Sequence, residues 1–192
     1  MLEQSLNQSV ETLAGFTVPE LIIPELTALT ASAVISELGA ALQSHGCVQD
    51  LISYQQAVLA RESISPTAFV RGWALPHARL PAIPELKFAF GRTREPVAWF
   101  GNTTAQVRSI LLFAVPEDAA KAYLNVNAAV ARLTQNVPLL EGLRTAPDAA
   151  TIFGVLREVR LPYAHLAASN GASSPVLPAI GTRLEAGNPS RI

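Results

Sequence analysis

The spacing of hydrophobic residues changes along the chain, and each spacing predicts a type of secondary structure. After Thr30 the apolar side chains recur every three or four positions up to Gly46, a pattern typical of an amphipathic helix with Thr30 as its N-cap. Asp50 precedes a second run of this kind, which ends near Ala60. Helical spacing also follows residue 118 as far as Leu133, covers 138–143, and begins again at Asp148.

Four other hydrophobic runs predict β-strands. Residues 86–90 alternate between apolar and polar, which indicates a strand covered on one face, and 107–115 is nearly continuous, as in a central strand buried on both faces. Residues 21–23 lie between two prolines and predict an edge strand, and 73–75 predict a short one. Because the 107–115 strand leads directly into a helix, we expect layered α/β packing.

Composition limits the classes of protein to which the chain can belong. Of its 192 residues, 49% are hydrophobic and 15% are charged, which is ample apolar material for a packed core. The formal net charge is -1 and the pI is about 6.3, whereas a nucleic-acid surface normally brings a basic excess. We therefore expect no nucleic acid among the partners.

Cysteine and histidine usage bear on the compartment and on cofactors. Cys47 is the only cysteine, so we expect no intramolecular disulfide, no thiolate metal cluster and a reducing, cytoplasmic location. The three histidines lack the spacing and the carboxylate partners of a zinc site, and no metal or other cofactor is expected. The amino terminus has no basic segment before an apolar run, and no apolar stretch approaches about 18 residues. Neither secretion nor membrane insertion is expected.

The polar ends of the chain set the expected domain limits. Residues 1–16 carry Gln, Asn and Ser without a clear period and are interpreted as a loosely held lead-in segment. Residues 163–192 are rich in Ser, Gly, Asn, Pro and Ala, a composition that buries little surface and predicts a flexible tail. Residues 17–162 remain as one folded domain.

The candidate chemistry lies in the stretch from Trp73 to Arg79. Pro76 has a fixed φ and favours extended backbone in the residue before it, so we expect the imidazole of His77 at the end of a stiff strand. Side chains two positions apart on extended chain point to the same side, which places Arg79 beside His77. A neutral imidazole can take up a phosphoryl group, and an arginine can neutralise the phosphoryl oxygens. The pair favours phosphoryl transfer between proteins, a reaction that depends mainly on positioning and electrostatics.

Four segments around this histidine resemble a known family. They are residues 46–50, the pair Arg61–Glu62, the run 74–79 and the strand end at 110–116. In this order they are similar to the enzyme IIA domain of the fructose and mannitol class of the bacterial sugar phosphotransferase system, a class that includes a nitrogen-related regulatory branch. The resemblance covers about residues 17 to 162.

The resemblance implies a fold, a reaction and a set of partners. The fold is a three-layer α/β/α arrangement, with a mixed β-sheet flanked by helices. His77 is implied to be a phosphotransferase residue that accepts phosphate from the histidine-containing phosphocarrier protein and passes it to a IIB component. Arg61 matches the family arginine that lies near the phosphohistidine.

One departure from the family pattern leaves a second function open. Members with strong phosphotransfer carry a second histidine early in the helix after the 110–115 strand, and Tyr123 occupies that place here. A phenol donates a hydrogen bond, but with an ordinary pKa of about 10 it does not supply the positive charge of an imidazolium. The alternative is a regulatory binding module with weak or lost phosphotransfer, which controls a partner protein.

Each candidate site residue also has a structural interpretation. Glu62 is expected to orient Arg61 or to cap a loop rather than to do acid or base chemistry. Tyr123 is expected to contribute mainly its apolar body. An arginine on exposed chain, such as Arg79, is commonly solvated, and one at a helix end, such as Arg61, also interacts with the helix dipole. Apolar residues on several helices leave room for a homodimer.

Overall fold

The computed structural model describes residues 12–163, with the backbone alone for residues 70 and 102–105. Its helices are α1 (Ala31–Ser44), α2 (Leu51–Ile64), α3 (Ala120–Leu133), α4 (Val137–Thr145) and α5 (Ala149–Glu158). The predicted N-caps Thr30, Asp50 and Asp148 each accept a hydrogen bond from the backbone N–H three residues later, which satisfies a donor that the helix leaves unpaired. None of these described helices is long and apolar enough to cross a membrane.

Within residues 12–163, six strands form one mixed sheet. They are β1 (Ile22–Leu26), β2 (Ala68–Phe69), β3 (Trp73–Ala74), β4 (His77–Leu80), β5 (Lys87–Trp99) and β6 (Asn102–Pro116). The order is β1-β5-β6-β3-β2, and β4 also pairs with β6. β5 and β6 are antiparallel, whereas β1 is parallel to β5, and β3 and β4 are parallel to β6. The prediction of β1 as an edge strand is confirmed.

The central strand β6 separates two hydrophobic cores. Residues 110–115 are completely buried, and successive side chains point to opposite faces of the sheet. Phe113 packs with α3 and α5 and with the 3₁₀ turn Leu13–Phe16 on one face, whereas Leu112 packs with α1 and α2 on the other. The predicted three-layer α/β/α fold with a mixed sheet is therefore confirmed.

The strands β5 and β6 are longer than their hydrophobic patterns predict. They continue as a hairpin that turns at Gly101, whose φ of +66° is a left-handed conformation that glycine adopts without strain. Residues 92–96 in this part carry charges and a proline, and the pairing register shifts there. Val97, Trp99 and Val107 of the extension are buried in the same core as α1 and α2, but the charges and the proline separate Val97 and Trp99 from the apolar run at 86–90, and the extension was not predicted.

The end of the predicted lead-in segment 1–16 differs from the prediction. Leu13 and Phe16 are 0% and 3% exposed and belong to the core, and the Leu13 N–H donates to the Val159 carbonyl at 2.9 Å. This single turn is too short to show a period, although its side chains are packed. Residues 1–11 of the lead-in and 164–192 of the predicted tail lie outside the described residues.

Candidate functional site

His77 is the first residue of β4, whereas the sequence indicated a single strand that ends before it. β3 and β4 pair with the same edge of β6, and Leu75 and Pro76 separate them. Pro76 has no N–H to donate, but its carbonyl accepts a hydrogen bond from the Phe113 N–H at 2.9 Å. The backbone on both sides of His77 is therefore fixed to the central strand of the sheet.

Among the described residues, one nitrogen of the His77 imidazole has a hydrogen-bond partner and the other has none. Its Nδ1 lies 3.2 Å from the carbonyl oxygen of Leu75, and because a carbonyl only accepts, Nδ1 carries the hydrogen. Burial lowers the pKa of His77 below its ordinary value, and the positive charges of Arg61 and Arg79 lower it further, against the hydrogen bond to Leu75. The ring is neutral near pH 7, and Nε2 keeps a lone pair that can act as a nucleophile.

An open cavity of about 300 Å³ brings together the three residues that the sequence assigned to the site. It is lined by Ala57, Arg61, His77, Ala78 and Arg79. The half-buried Arg61 lies in the last turn of α2 and donates from Nη1 to the carbonyl of Ser65 at 2.8 Å. Arg79 is exposed and makes no hydrogen bond or ion pair with the residues that the structure describes. Guanidinium groups at two sides of one imidazole form a site suited to a phosphoryl group.

Glu62 lies next to Arg61 in sequence but does not line the cavity. It is completely buried, and its Oε2 accepts hydrogen bonds from Trp99 Nε1 at 2.7 Å and from the Thr67 N–H at 3.0 Å. These bonds fasten the loop after α2 and tie the end of that helix to β5. The geometry matches the loop-capping role rather than the orientation of Arg61, which donates to Ser65 instead.

Tyr123, in α3, packs directly against the candidate histidine. Its ring centroid lies 4.9 Å from that of His77 and 5.4 Å from that of Phe113, and the side chain is 6% exposed. Burial raises the pKa of Tyr123 above its ordinary value, so the phenol stays protonated and neutral. The expected packing role is present, in contact with the imidazole.

Two residues of this region have no signal of their own in the sequence. Asn127 lies one helical turn after Tyr123, and its amide interacts with the phenol through a hydrogen bond that opposes the rise in the pKa of Tyr123. Its Oδ1 is buried without a partner. Ala57 forms part of the cavity wall one turn before Arg61. The sequence indicates them only through their spacing, since each lies four residues from a candidate site residue on the same helix.

The described residues 12–163 contain no group of three or more His, Cys, Asp and Glu side chains that could hold a metal ion. Of the five residues that line the cavity, His77 is the one whose side chain offers a nitrogen lone pair.

The fold and the cavity define a class of three-layer α/β protein in which one imidazole at a strand terminus shares a cavity with two arginines. Comparison with known families identifies the class further. The chain belongs to the EIIA 2 family of the phosphoenolpyruvate-dependent sugar phosphotransferase system, whose family model matches residues 16–159. The family resemblance found in the sequence is confirmed.

Similar proteins include both regulators and transport components. The chain is 29% identical to the nitrogen regulatory protein of Bradyrhizobium diazoefficiens over an alignment of 145 residues. This alignment covers 75% of this chain and 94% of that protein. It is 26% identical over 125 residues to the fructose-specific EIIABC component of Bacillus subtilis, covering 65% of this chain but only 20% of that larger protein. In structure it resembles the Escherichia coli mannitol IIA in a complex with phosphorylated IIB, with a TM-score of 0.62, 20% identity, and coverage of 72% and 95% of the two chains.

Proposed function

We propose that the protein is a phosphoryl carrier that accepts phosphate on Nε2 of His77. The observation that carries the proposal is the contact between Nδ1 and the Leu75 carbonyl, because it leaves the other nitrogen of a neutral ring free to attack. A bond forms from Nε2 to phosphorus while the nitrogen–phosphorus bond of the donor breaks. The positive charge that the His77 ring gains is the charge that the donor ring loses, so no proton has to move.

The proposed partners follow from this exchange and from the family. The donor is the histidine-containing phosphocarrier protein, and the acceptor is a IIB component, to whose nucleophile the phosphoryl group passes as the bond from Nε2 of His77 to phosphorus breaks. Such a relay would run in the cytoplasm, where phosphoenolpyruvate is available. The open form of the cavity supports transfer between proteins, since a second macromolecule has to bring its reacting atom to the imidazole.

Arg61 and Arg79 are proposed to hold the equatorial oxygens of the phosphoryl group during transfer. Arg79 has no competing contact among the described residues, and Arg61 uses one N–H on Ser65 while its remaining donors face no described acceptor. Charge neutralisation of this kind supplies much of the rate in phosphoryl transfer. Glu62 acts as a positioning residue, because its bonds to Thr67 and Trp99 fix the helix end that carries Arg61.

The test is phosphorylation of the full chain with phosphoenolpyruvate, enzyme I and the phosphocarrier protein. We expect a label that is stable in alkali, labile in acid and absent from His77→Ala. His45→Ala is the matched control, because His45 is exposed at the end of α1, and it should be labelled like the wild type. No label on the wild type, or a label that survives His77→Ala, contradicts the proposal.

A second candidate function is regulation of a partner protein, with phosphotransfer weak. It is favoured by the neutral Tyr123 in contact with His77, where the family pattern has a second histidine. If regulation dominates, a partner should bind the unphosphorylated wild type and His77→Ala with the same affinity. A partner whose affinity changes when His77 is phosphorylated would join the two functions, and a IIB component that is phosphorylated rapidly would favour transport.

A further inference from the structure

A second cavity, of about 650 Å³, lies apart from the His77 site and is rich in arginine. Its lining includes Arg71, Arg92, Arg94, Arg108 and Arg144, and Glu141 is its only acidic residue. No residue lines both cavities. Five of the 14 Lys and Arg residues of a chain with net charge -1 therefore surround one space. A concentration of this kind attracts anions.

One of these arginines has a structural role and is not available to a ligand. Arg92 donates from Nε to the Pro24 carbonyl at 3.0 Å, and its Nη atoms donate to the carbonyls of Leu143, Arg144 and Ala146 at the end of α4. It satisfies carbonyl groups that the helix terminus leaves unpaired. Arg92 therefore shapes the wall of the cavity.

Of the remaining four arginines, Arg71 gives the strongest indication of a bound ligand. Its φ of +64° and ψ of +24° are left-handed, a conformation that is strained for a residue with a side chain. The side chain is exposed and makes no hydrogen bond or ion pair with the described part of the chain. Glycine follows at position 72, where a Cβ would lie 2.8 Å from the Gln106 carbonyl oxygen. A strained arginine at a cavity, with no partner of its own, indicates a function outside the fold.

The other three arginines form exposed ion pairs, and Arg108 in addition donates from Nη1 to the Arg94 carbonyl at 2.6 Å. Arg94 contacts Glu25, Arg108 lies 3.7 Å from Glu95, and Arg144 contacts Glu141 three residues earlier on the same helix. Every side chain in these pairs is more than half exposed, and exposed pairs are weak. A bound anion can replace the carboxylates without loss of a buried interaction.

The rest of the cavity wall combines four apolar residues with the polar Thr93 and Ser109. Trp73 and Leu143 are buried, Leu140 is half-buried, and Val137 is exposed at the start of α4. A space of this size, lined by apolar groups and a few charged ones, is typical of a site for a small organic ligand. Guanidinium groups match the paired oxygens of phosphate better than a point charge does.

We propose that this arginine cavity binds a small organic phosphate, with its phosphate on Arg71 and Arg108 and its apolar part against the Trp73 wall. The site is separate from the proposed chemistry of His77 and does not depend on it. A free metabolite that carries phosphate would thus be recognised by a protein whose other site handles phosphoryl groups on proteins.

The test is calorimetric titration of the full chain with three probes: adenosine 5′-monophosphate, 4-nitrophenyl phosphate and inorganic pyrophosphate. We expect adenosine 5′-monophosphate to bind and adenosine not to bind. Arg71→Asn should weaken the binding by about tenfold or more, since asparagine tolerates the left-handed backbone but removes the guanidinium. Arg108→Gln should weaken it as well, and Arg71→Lys should keep part of the affinity.

Two controls separate this site from diffuse charge and from the His77 cavity. Arg132→Asn removes an exposed arginine of α3 that does not line the cavity, and binding should stay unchanged. His77→Ala should also bind the probe with wild-type affinity. The proposal is wrong if neither adenosine 5′-monophosphate nor 4-nitrophenyl phosphate binds at millimolar concentration, even if inorganic pyrophosphate does. It is also wrong if Arg132→Asn weakens binding as much as Arg71→Asn does, or if binding is lost in His77→Ala.

Discussion

Replacing the phenol that packs against the candidate histidine should stabilise the phosphorylated form. The ring centroids of Tyr123 and His77 are 4.9 Å apart, so an imidazolium in Tyr123→His would lie beside the ring that carries the transferred group. At an effective dielectric constant of about 20, each pair of opposite unit charges at that distance contributes about 3 kcal/mol. Burial opposes the charged imidazole, and the nearby arginines lower its protonated fraction near pH 7.

If these two effects cancel roughly half of the attraction within one such pair, the phosphorylated form is stabilised by about 1.5 kcal/mol. This is about tenfold in the equilibrium constant for phosphorylation. The assay measures the ratio of labelled to unlabelled protein at equilibrium with the phosphorylated phosphocarrier. A second measurement is the rate at which the isolated phosphoprotein is hydrolysed without added acid. We expect Tyr123→His to raise the labelled fraction and to slow hydrolysis.

Tyr123→Phe is the matched control for this change. It keeps the aromatic body against His77 and Phe113 and removes only the hydroxyl, so it should alter the equilibrium far less than Tyr123→His. The electrostatic reasoning fails if Tyr123→His and Tyr123→Phe shift the labelled fraction equally, or if Tyr123→His leaves it unchanged while the protein remains folded.

Three further predictions concern stability, which urea denaturation followed by circular dichroism would measure. Gly91→Ala would place a Cβ 2.5 Å from Leu26 Cδ1 and should lower the free energy of unfolding by about 1–3 kcal/mol. In Gly154→Ala, at an exposed position of α5, the new Cβ meets nothing within 4 Å, and the variant should raise the free energy of unfolding by up to about 1 kcal/mol. Changes of the same sign in the two variants would contradict this prediction. Tyr54→Phe removes a buried hydroxyl that donates to a β6 carbonyl at 2.9 Å and should cost about 1–2 kcal/mol, with no loss if the bond is absent. Because the pKa of His77 is lowered on folding, the unfolded chain takes up the proton first, so stability should fall as the pH drops below about 6.5, and His77→Gln should remove that part of the fall.

The layers of the fold could be predicted from sequence because they depend on periodic burial. Helices with a capping residue and an apolar stripe gave both their position and their first residue, as at Thr30 and Asp50. The continuous apolar run at 110–115 indicated the central strand, since only a strand covered on both faces needs it. The hairpin beyond residue 91 was missed because the charges and the proline at 92–96 separate its buried Val97 and Trp99 from the apolar run at 86–90.

The candidate site was predictable to the extent that chain geometry is local. Proline before His77 and the two-residue spacing to Arg79 can be read from sequence, and the structure brings Arg61 to the same cavity from a separate helix. The bond from Nδ1 to Leu75 depends on the ring orientation, and the partners of Glu62 include Trp99, 37 residues away. Contacts of this kind depend on how the layers pack, which no local pattern encodes.

The neutral phenol also affects the choice between transport and regulation. A carrier whose phosphohistidine lacks a nearby imidazolium holds its phosphoryl group at higher free energy, which shifts the equilibrium with the donor toward the unphosphorylated protein and favours onward transfer to an acceptor. At equilibrium with the donor alone, a larger fraction of the molecules would then present an unphosphorylated His77 in the cavity that Arg61 and Arg79 line. A regulatory partner would bind this unphosphorylated form. The labelled fraction of the wild type, compared with that of Tyr123→His, therefore measures how far the contact between Tyr123 and His77 favours regulation.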